Sequence, residues 1–268
     1  MNRREFLTTI ALSPLVTLQF PRIASAAARW DRTLVLIELD GGNDGLNTVV
    51  PYADPLYRQL RPNLGVPRDQ VLQLDEHLGL APELEPLMRH WRGRKLAIAL
   101  GVGYPDPNLS HFRGIEIWNQ ATDANKFTQS GWVPQLFAEA GAPPAEFAAD
   151  GISIVKGGAG PLHASDRRVV VLAKGQESLE RGAGVVPMDG AMQMNPALTH
   201  LFAIQDNFHH AAADILARRI ENVDAGASFP AGGLGNGLKT AARLLTSGVK
   251  TPVVRVALRG FDTHSKQQ

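Results

Sequence analysis

The chain of 268 residues contains no cysteine, which excludes disulfides, thiolate metal ligands and cysteine nucleophiles together. Neither charge is in excess: 27 Lys and Arg stand against 26 Asp and Glu, a formal net charge of +1. Without a one-signed field the chain has no general attraction for nucleic acid or for an anionic membrane surface, and no nucleic-acid partner is expected. Long hydrophobic runs are also missing. The most apolar stretch, from Phe6 to Phe20, is short for a membrane span and is interrupted by Pro14, so no stable span is expected. No internal repeat, low-complexity linker or Gly-x-Ser-x-Gly nucleophile elbow is present. What remains, 44% hydrophobic and 20% charged, suits one large globular domain.

The N-terminus reads as a targeting segment. Arg3 and Arg4 precede Phe6 and Leu7, an apolar stretch follows, and Ala24-Ser25-Ala26 offers a small-x-small cleavage site. The adjacent arginines resemble a twin-arginine signal; an ordinary secretory signal or a soluble amphipathic start are the alternatives. On the first reading residues 1–26 are removed, the translocation partner is the twin-arginine machinery, and the destination is periplasmic or extracellular. That route carries folded cargo, and the absence of cysteine agrees with folding in a reducing compartment.

Beyond the signal, strand-like and helix-like segments alternate. Residues 33–39 form an apolar run broken only by Glu38, of a length that suits a strand buried on both faces. Leu84, Leu87, Met88 and Trp91 recur at helical spacing and Gly93 closes that helix. The run LAIAL at 96–100 predicts a second buried strand. A helix is expected to start near Ser110, with Phe112, Ile115 and Trp118 at three-residue steps. Strand, helix, strand, helix describes right-handed βαβ units on a parallel sheet with helices on both faces, an α/β fold. Residues 142–190 are less regular, with short strands at 152–155 and 168–172, and read as an insertion over the sheet. A long helix capped by Asn195, with Leu201, Ile204, Phe208, Ala212 and Ile215 on one face, leads to a flexible Gly-rich turn (residues 233–237), a helix near 238–245 and a last strand at 252–258.

Three points then carry chemistry: Asp40 after the first strand, Ser110 after the second, and Asp262 with His264 after the last. The C-terminal ends of parallel strands share one sheet edge, so these groups are expected to converge. Two carboxylates, an imidazole and a hydroxyl there suit a hard metal ion with a nucleophile beside it. Ser110 is equally an N-cap, and the two roles are compatible, because a helix N-terminus also favours an anionic oxygen. Gly41 and Gly42 allow a tight turn, while Asn43 and Asp44 add polar ligands, outer partners of an ion, or a plain Asx turn. Arg113, one turn beyond Ser110, is a candidate anion clamp or a solvated surface arginine. His111 neighbours Ser110 but should point away from whatever Ser110 faces. His209 and His210, adjacent on a helix, cannot meet one ion.

The runs LDGGNDGLNTVVP, GVGYPDPNLSHFRGIEIW and GFDTHS, with Gly131-Trp132 and the twin-arginine start, resemble the bacterial family called domain of unknown function 1501. That family is similar to the alkaline phosphatase and sulfatase superfamily. The resemblance implies that fold and two divalent metal ions acting with a hydroxyl nucleophile on phosphate or sulfate esters. By position, Asp40 matches the first-strand metal carboxylate, Ser110 the nucleophile, and Asp262 with His264 the acid and histidine of a second metal position. The superfamily's phosphatases space that last pair more widely. The sulfatase signature, Pro two residues and Arg four residues past the nucleophile, is replaced by Phe112 and Gly114, so conversion of Ser110 to formylglycine is not expected. The resemblance also implies further ligands downstream of His264, where only Ser265-Lys266-Gln267-Gln268 follow; the fold is therefore expected to be incomplete at its C-terminus.

Two function classes follow: an exported metal-dependent hydrolase or transferase on phosphate or sulfate esters, and a non-catalytic exported binding or scaffold protein that keeps the fold. The export reading has a direct test. Replacing Arg3 and Arg4 together by lysine should trap precursor in the cytoplasm, scored by fractionation, whereas mature protein reaching the periplasm at normal yield would remove the twin-arginine route.

Overall fold

The computed structural model describes residues 30–172, 212–213 and 223–262. The molecule is mixed α/β. Strand β1 (Leu34–Asp40) is LVLIELD, rich in branched residues and ended by an acid and two glycines. After it come a short helix α1 (Gly45–Thr48), β2 (Val49–Val50), α2 (Pro55–Leu60), β3 (Leu72–Gln73) and β4 (Gly79–Leu80). Strands β2, β4 and β3 make a small antiparallel sheet in that order. Its core holds Val50, Tyr52, Tyr57 and Val71. Tyr57 lies inside it but keeps its hydroxyl satisfied, donating to Asn47 Oδ1 (2.7 Å) and accepting from the Val66 amide (2.8 Å).

The helix expected over Leu84, Leu87, Met88 and Trp91 forms in two parts. A 3-10 segment (Pro82–Leu87) contains Pro86, whose missing N–H breaks the α ladder, and α3 (Met88–Arg92) follows with Gly93 as its C-cap. The predicted strand at 96–100 does not form. Arg94 (φ +53°) and Gly101 (φ +67°) adopt left-handed conformations on either side of it.

Helices α4 (His111–Gln120) and α5 (Trp132–Ala140) come next, then β5 (Gly151–Ser153), a 3-10 turn (Gly160–Leu162) and β6 (Val169–Val171). Helix α6 (Gly233–Thr246) and β7 (Val253–Arg259) complete the order. The larger sheet runs β1-β7-β5-β6 with every pairing parallel. Strands β5 and β6 therefore belong to the sheet itself, which corrects the reading of 142–190 as an insertion over it. Of that stretch, residues 173–190 lie outside the described residues, as do the signal segment, the helix capped by Asn195 apart from Ala212 and Ala213, and the His209-His210 pair.

Helices cover both faces of the sheet, in keeping with the two-residue period of its strands. On one face Val254 and Val256 pack with Ala241, Leu234, Leu238 and Leu245 of α6. On the other, Val253 packs with Val133 and Phe137 of α5 and with Leu162. Full burial of each such aliphatic side chain stabilises the fold by roughly 1.5–3 kcal/mol. The glycines at 233–237, expected to form a turn, lie inside α6. A Cβ on Gly235 would sit 1.8 Å from the Pro230 carbonyl oxygen, so close packing, not flexibility, requires glycine there.

Strand β1 lies at the edge of the sheet, not buried on both faces as its composition predicts; Leu34, Ile37 and Leu39 are exposed. Helix α4 likewise turns Phe112, Ile115 and Trp118 outward and buries Ile117 instead. The three-residue stripe that marks the helix in the sequence is therefore not its buried face. Only Ile117 reaches the interior.

One charged network crosses three strands. Arg255, on the central strand β7, is 7% exposed. Its Nη2 donates to Glu38 Oε2 of β1 (2.5 Å), and its Nη1 donates to Ser153 Oγ of β5 and to the Gly158 carbonyl (3.1 Å each). Breaking a buried ion pair on one side leaves an uncompensated charge and costs about 3–5 kcal/mol. Glu38→Ala should accordingly lower unfolding stability by about 3 kcal/mol in urea, at the low end because Glu38 is partly solvated. A loss under about 0.5 kcal/mol, typical of a surface substitution, would remove this pair from the core.

Candidate functional site

The chain leaves β1 through Gly41 (φ +111°) and Gly42 (φ +82°), conformations that L side chains rarely adopt. Gly41 also lies against the exit of β7: a Cβ there would fall 2.8 Å from the Asp262 amide nitrogen and 3.1 Å from Asp262 Cβ. Parallel pairing with Asp40 opposite Arg259 thus delivers both exits to one place. A cleft of about 1510 Å³ opens there. Its polar lining includes Asp40, Asn43, Ser110, His111, Arg259 and Asp262 beside Gly41 and Gly42, and its apolar walls come from Leu39, Phe112 and Trp118 among others.

Ser110 caps α4 as predicted. Its hydroxyl accepts from the Arg113 amide at 3.5 Å, a long contact, and its own amide donates to Asn108 Oδ1 at 2.9 Å. The Asn108 bond fixes the approach to the helix while the weak cap leaves the hydroxyl lightly held. Asn43 reaches the cleft and donates to Thr48 Oγ1 (2.9 Å), so its amide is oriented by α1.

Two predicted residues lie elsewhere. Asp44 caps α1, accepting from the Asn47 amide (3.3 Å), and pairs with Arg61 at 2.5 Å; it does not line the cleft. Arg113 turns toward the loop after α4, where it pairs with Glu116 at 2.7 Å, donates to the Ala124 and Lys126 carbonyls and stacks 3.7 Å over the Phe127 ring. Loop carbonyls and an aromatic face have taken all of its reach, so it clamps backbone rather than an anion in the cleft. His264 lies outside the described residues.

Sequence reasoning missed Arg259. Its Nε lies 3.1 Å from Asp40 Oδ2, and Nη2 donates to the Lys156 carbonyl. The available signal was the pattern VVRVALR, in which arginines recur at a four-residue step on one face of an otherwise apolar strand, answered by Glu38 and Asp40 on β1.

Among the described residues no three His, Asp or Glu side chains gather into a ready cation shell. The cleft offers oxygen donors from Asp40, Asp262, Asn43 and Ser110, a set suited to hard divalent cations. Asp40 already holds one positive group, the Arg259 guanidinium. No family model, curated protein or solved structure matches the chain.

The Gly41 contact generates a matched pair of substitutions. Gly41→Ala combines a positive φ with a clash against Asp262, whereas Gly42→Ala meets a positive φ with open space. Gly41→Ala should cost roughly 1–3 kcal/mol and Gly42→Ala distinctly less, measured by urea unfolding. Equal losses would show that the close approach of the two exits is not tightly held.

Proposed function

We propose that this is an exported, metal-dependent hydrolase or transferase acting on phosphate or sulfate esters, of the alkaline phosphatase and sulfatase type implied by its resemblance to the domain of unknown function 1501 family. The observation that carries the reading is the meeting of Asp40, Ser110 and Asp262 on one cleft beside the C-terminal ends of parallel strands, where α/β proteins generally bind ligands. On this reading Asp40 and Asp262, with His264, hold the ions. When bound, a divalent cation supplies charge neutralisation at an ester oxygen and makes a nearby hydroxyl more acidic.

The chain's own residues have separate tasks. Ser110 presents its Oγ at the start of a ten-residue helix, where unsatisfied amides favour the anionic oxygens of the group under attack. Attack by Oγ on phosphorus or sulfur forms an ester to the enzyme and expels the alcohol; water then cleaves that ester. The apolar walls, including Phe112 and Trp118, displace water from the face that receives the ester's organic part. Asn43, oriented by Thr48, supplies a polar contact within the same cleft.

A second reading, a non-catalytic exported binding or scaffold protein, is favoured by one specific contact: Asp40 is engaged by Arg259. Elemental analysis after export separates the two, since bound divalent metal supports the enzyme and its absence supports the scaffold. For the enzyme, Ser110→Ala should lower turnover of aryl phosphate or sulfate esters by several orders of magnitude while metal content stays at the wild-type level. Undiminished turnover in that variant would take Ser110 out of the mechanism.

A further inference from the structure

Asp40 and Arg259 are register partners on neighbouring parallel strands, and their contact differs from the other acid–arginine pair of the same sheet. Arg255 has 9% of its side chain exposed, Arg259 53%. A half-exposed pair contributes little to stability, yet this one is deliberately seated. Nη2 is held by the Lys156 carbonyl, and Gly157, at φ +125°, gives it room, since a Cβ there would lie 2.8 Å from Nη2. With half of the side chain exposed, water competes for the guanidinium and the group can leave. Its surroundings also include the cleft, which it lines together with Asp40 and Asp262.

A guanidinium on Asp40 and a divalent ion on the same carboxylate would face each other at a few ångströms, and like charges at that range repel strongly where solvent is partly excluded. Resting on the proposed reading of Asp40 as a cation ligand, we propose that Arg259 guards this carboxylate: it occupies Asp40 while no ion is bound, and an entering divalent ion must displace it. The side chain acts as a built-in competitor. It keeps Asp40 neutralised beside Asp262 in the ion-free protein and sets the threshold of ion concentration at which the site fills.

The test is calorimetric titration of Mn²⁺ into the full chain and into Arg259→Met and Arg259→Lys, with thermal unfolding of each followed in parallel. Removing the competitor should tighten Mn²⁺ binding about tenfold or more in Arg259→Met, within the range of ordinary coupling between two ligands of one site. Arg259→Lys, which keeps the charge, should lie between that variant and the wild type. The ion-free Arg259→Met protein should melt slightly lower than wild type, and saturating Mn²⁺ should raise its Tm by more than it raises the wild-type value. A purely structural role for Arg259 predicts the reverse pattern, a lower Tm with and without ion and unchanged or weaker Mn²⁺ affinity, and that result overturns the proposal. Wild type and Arg259→Met binding Mn²⁺ equally also overturns it while leaving Asp40 as a ligand. If neither protein binds Mn²⁺, the reading of Asp40 as a cation ligand falls with it.

Discussion

The Arg255 guanidinium is the constraint on which the large sheet depends. Placed in the central strand β7 and nearly buried, it carries a charge that is costly to desolvate unless it is paired and hydrogen-bonded. Its partners come from three separate parts of the chain: Glu38 in β1, Ser153 in β5 and the Gly158 carbonyl in the loop after β5. Ser153 also donates to that carbonyl at 3.0 Å, so the network closes on itself. Even the loop conformation is bound to it, because a Cβ on Gly160 would fall 2.6 Å from Arg255 Cζ. Apolar strands alone specify their mutual register weakly when neighbours are equally hydrophobic. A buried guanidinium with one carboxylate in reach specifies it well, since a slip of one residue turns Glu38 to the opposite face.

The site inherits its geometry from that register. With Arg255 opposite Leu36, Arg259 falls opposite Asp40 and the two strands end level. Level ends let Gly41 pass against Asp262 without a side chain between them. The cleft is thus a consequence of where the buried charge sits several residues earlier. Glu38 itself borders the cleft, so a disturbance of the buried pair would reach the site directly as well as through the register of β1.

Much of this was legible in the sequence, though unevenly. The apolar runs at 33–39 and 252–258 announced parallel strands, Ser110 announced a helix cap, and Gly41-Gly42 after an acid announced a tight turn; local chemistry decides each of these. The errors arose where tertiary context decides. The run at 96–100 has strand composition, but it forms no strand and is flanked by the left-handed Arg94 and Gly101. The glycines at 233–237 have turn composition, but they lie inside a helix, where the close approach of the Pro230 carbonyl leaves no room for a side chain at Gly235. Ile117 and not the stripe of Phe112, Ile115 and Trp118 is buried, since the face a helix presents depends on the neighbour it meets, and periodicity identifies a face without naming the neighbour. Arg113 was read from its distance to Ser110 along the helix, whereas the carbonyls that hold it belong to a loop whose course no local pattern fixes.

Two arginines four residues apart on β7 show how exposure alone divides one chemistry into two tasks. Each meets a carboxylate of β1 on the same face of the sheet, and each is bordered by a glycine loop that leaves space for the guanidinium. Inside the sheet the surrounding dielectric is low and exchange of either ion would strand the other, so the Arg255 pair is fixed and structural. At the strand ends water competes for both groups and the pair separates at little cost. A pair that opens easily is poor at holding a fold together, but it keeps a carboxylate neutralised until a stronger cation arrives. The position of Asp40 at the last residue of β1, beyond the reach of the buried network and at the mouth of the cleft, is what makes its arginine exchangeable.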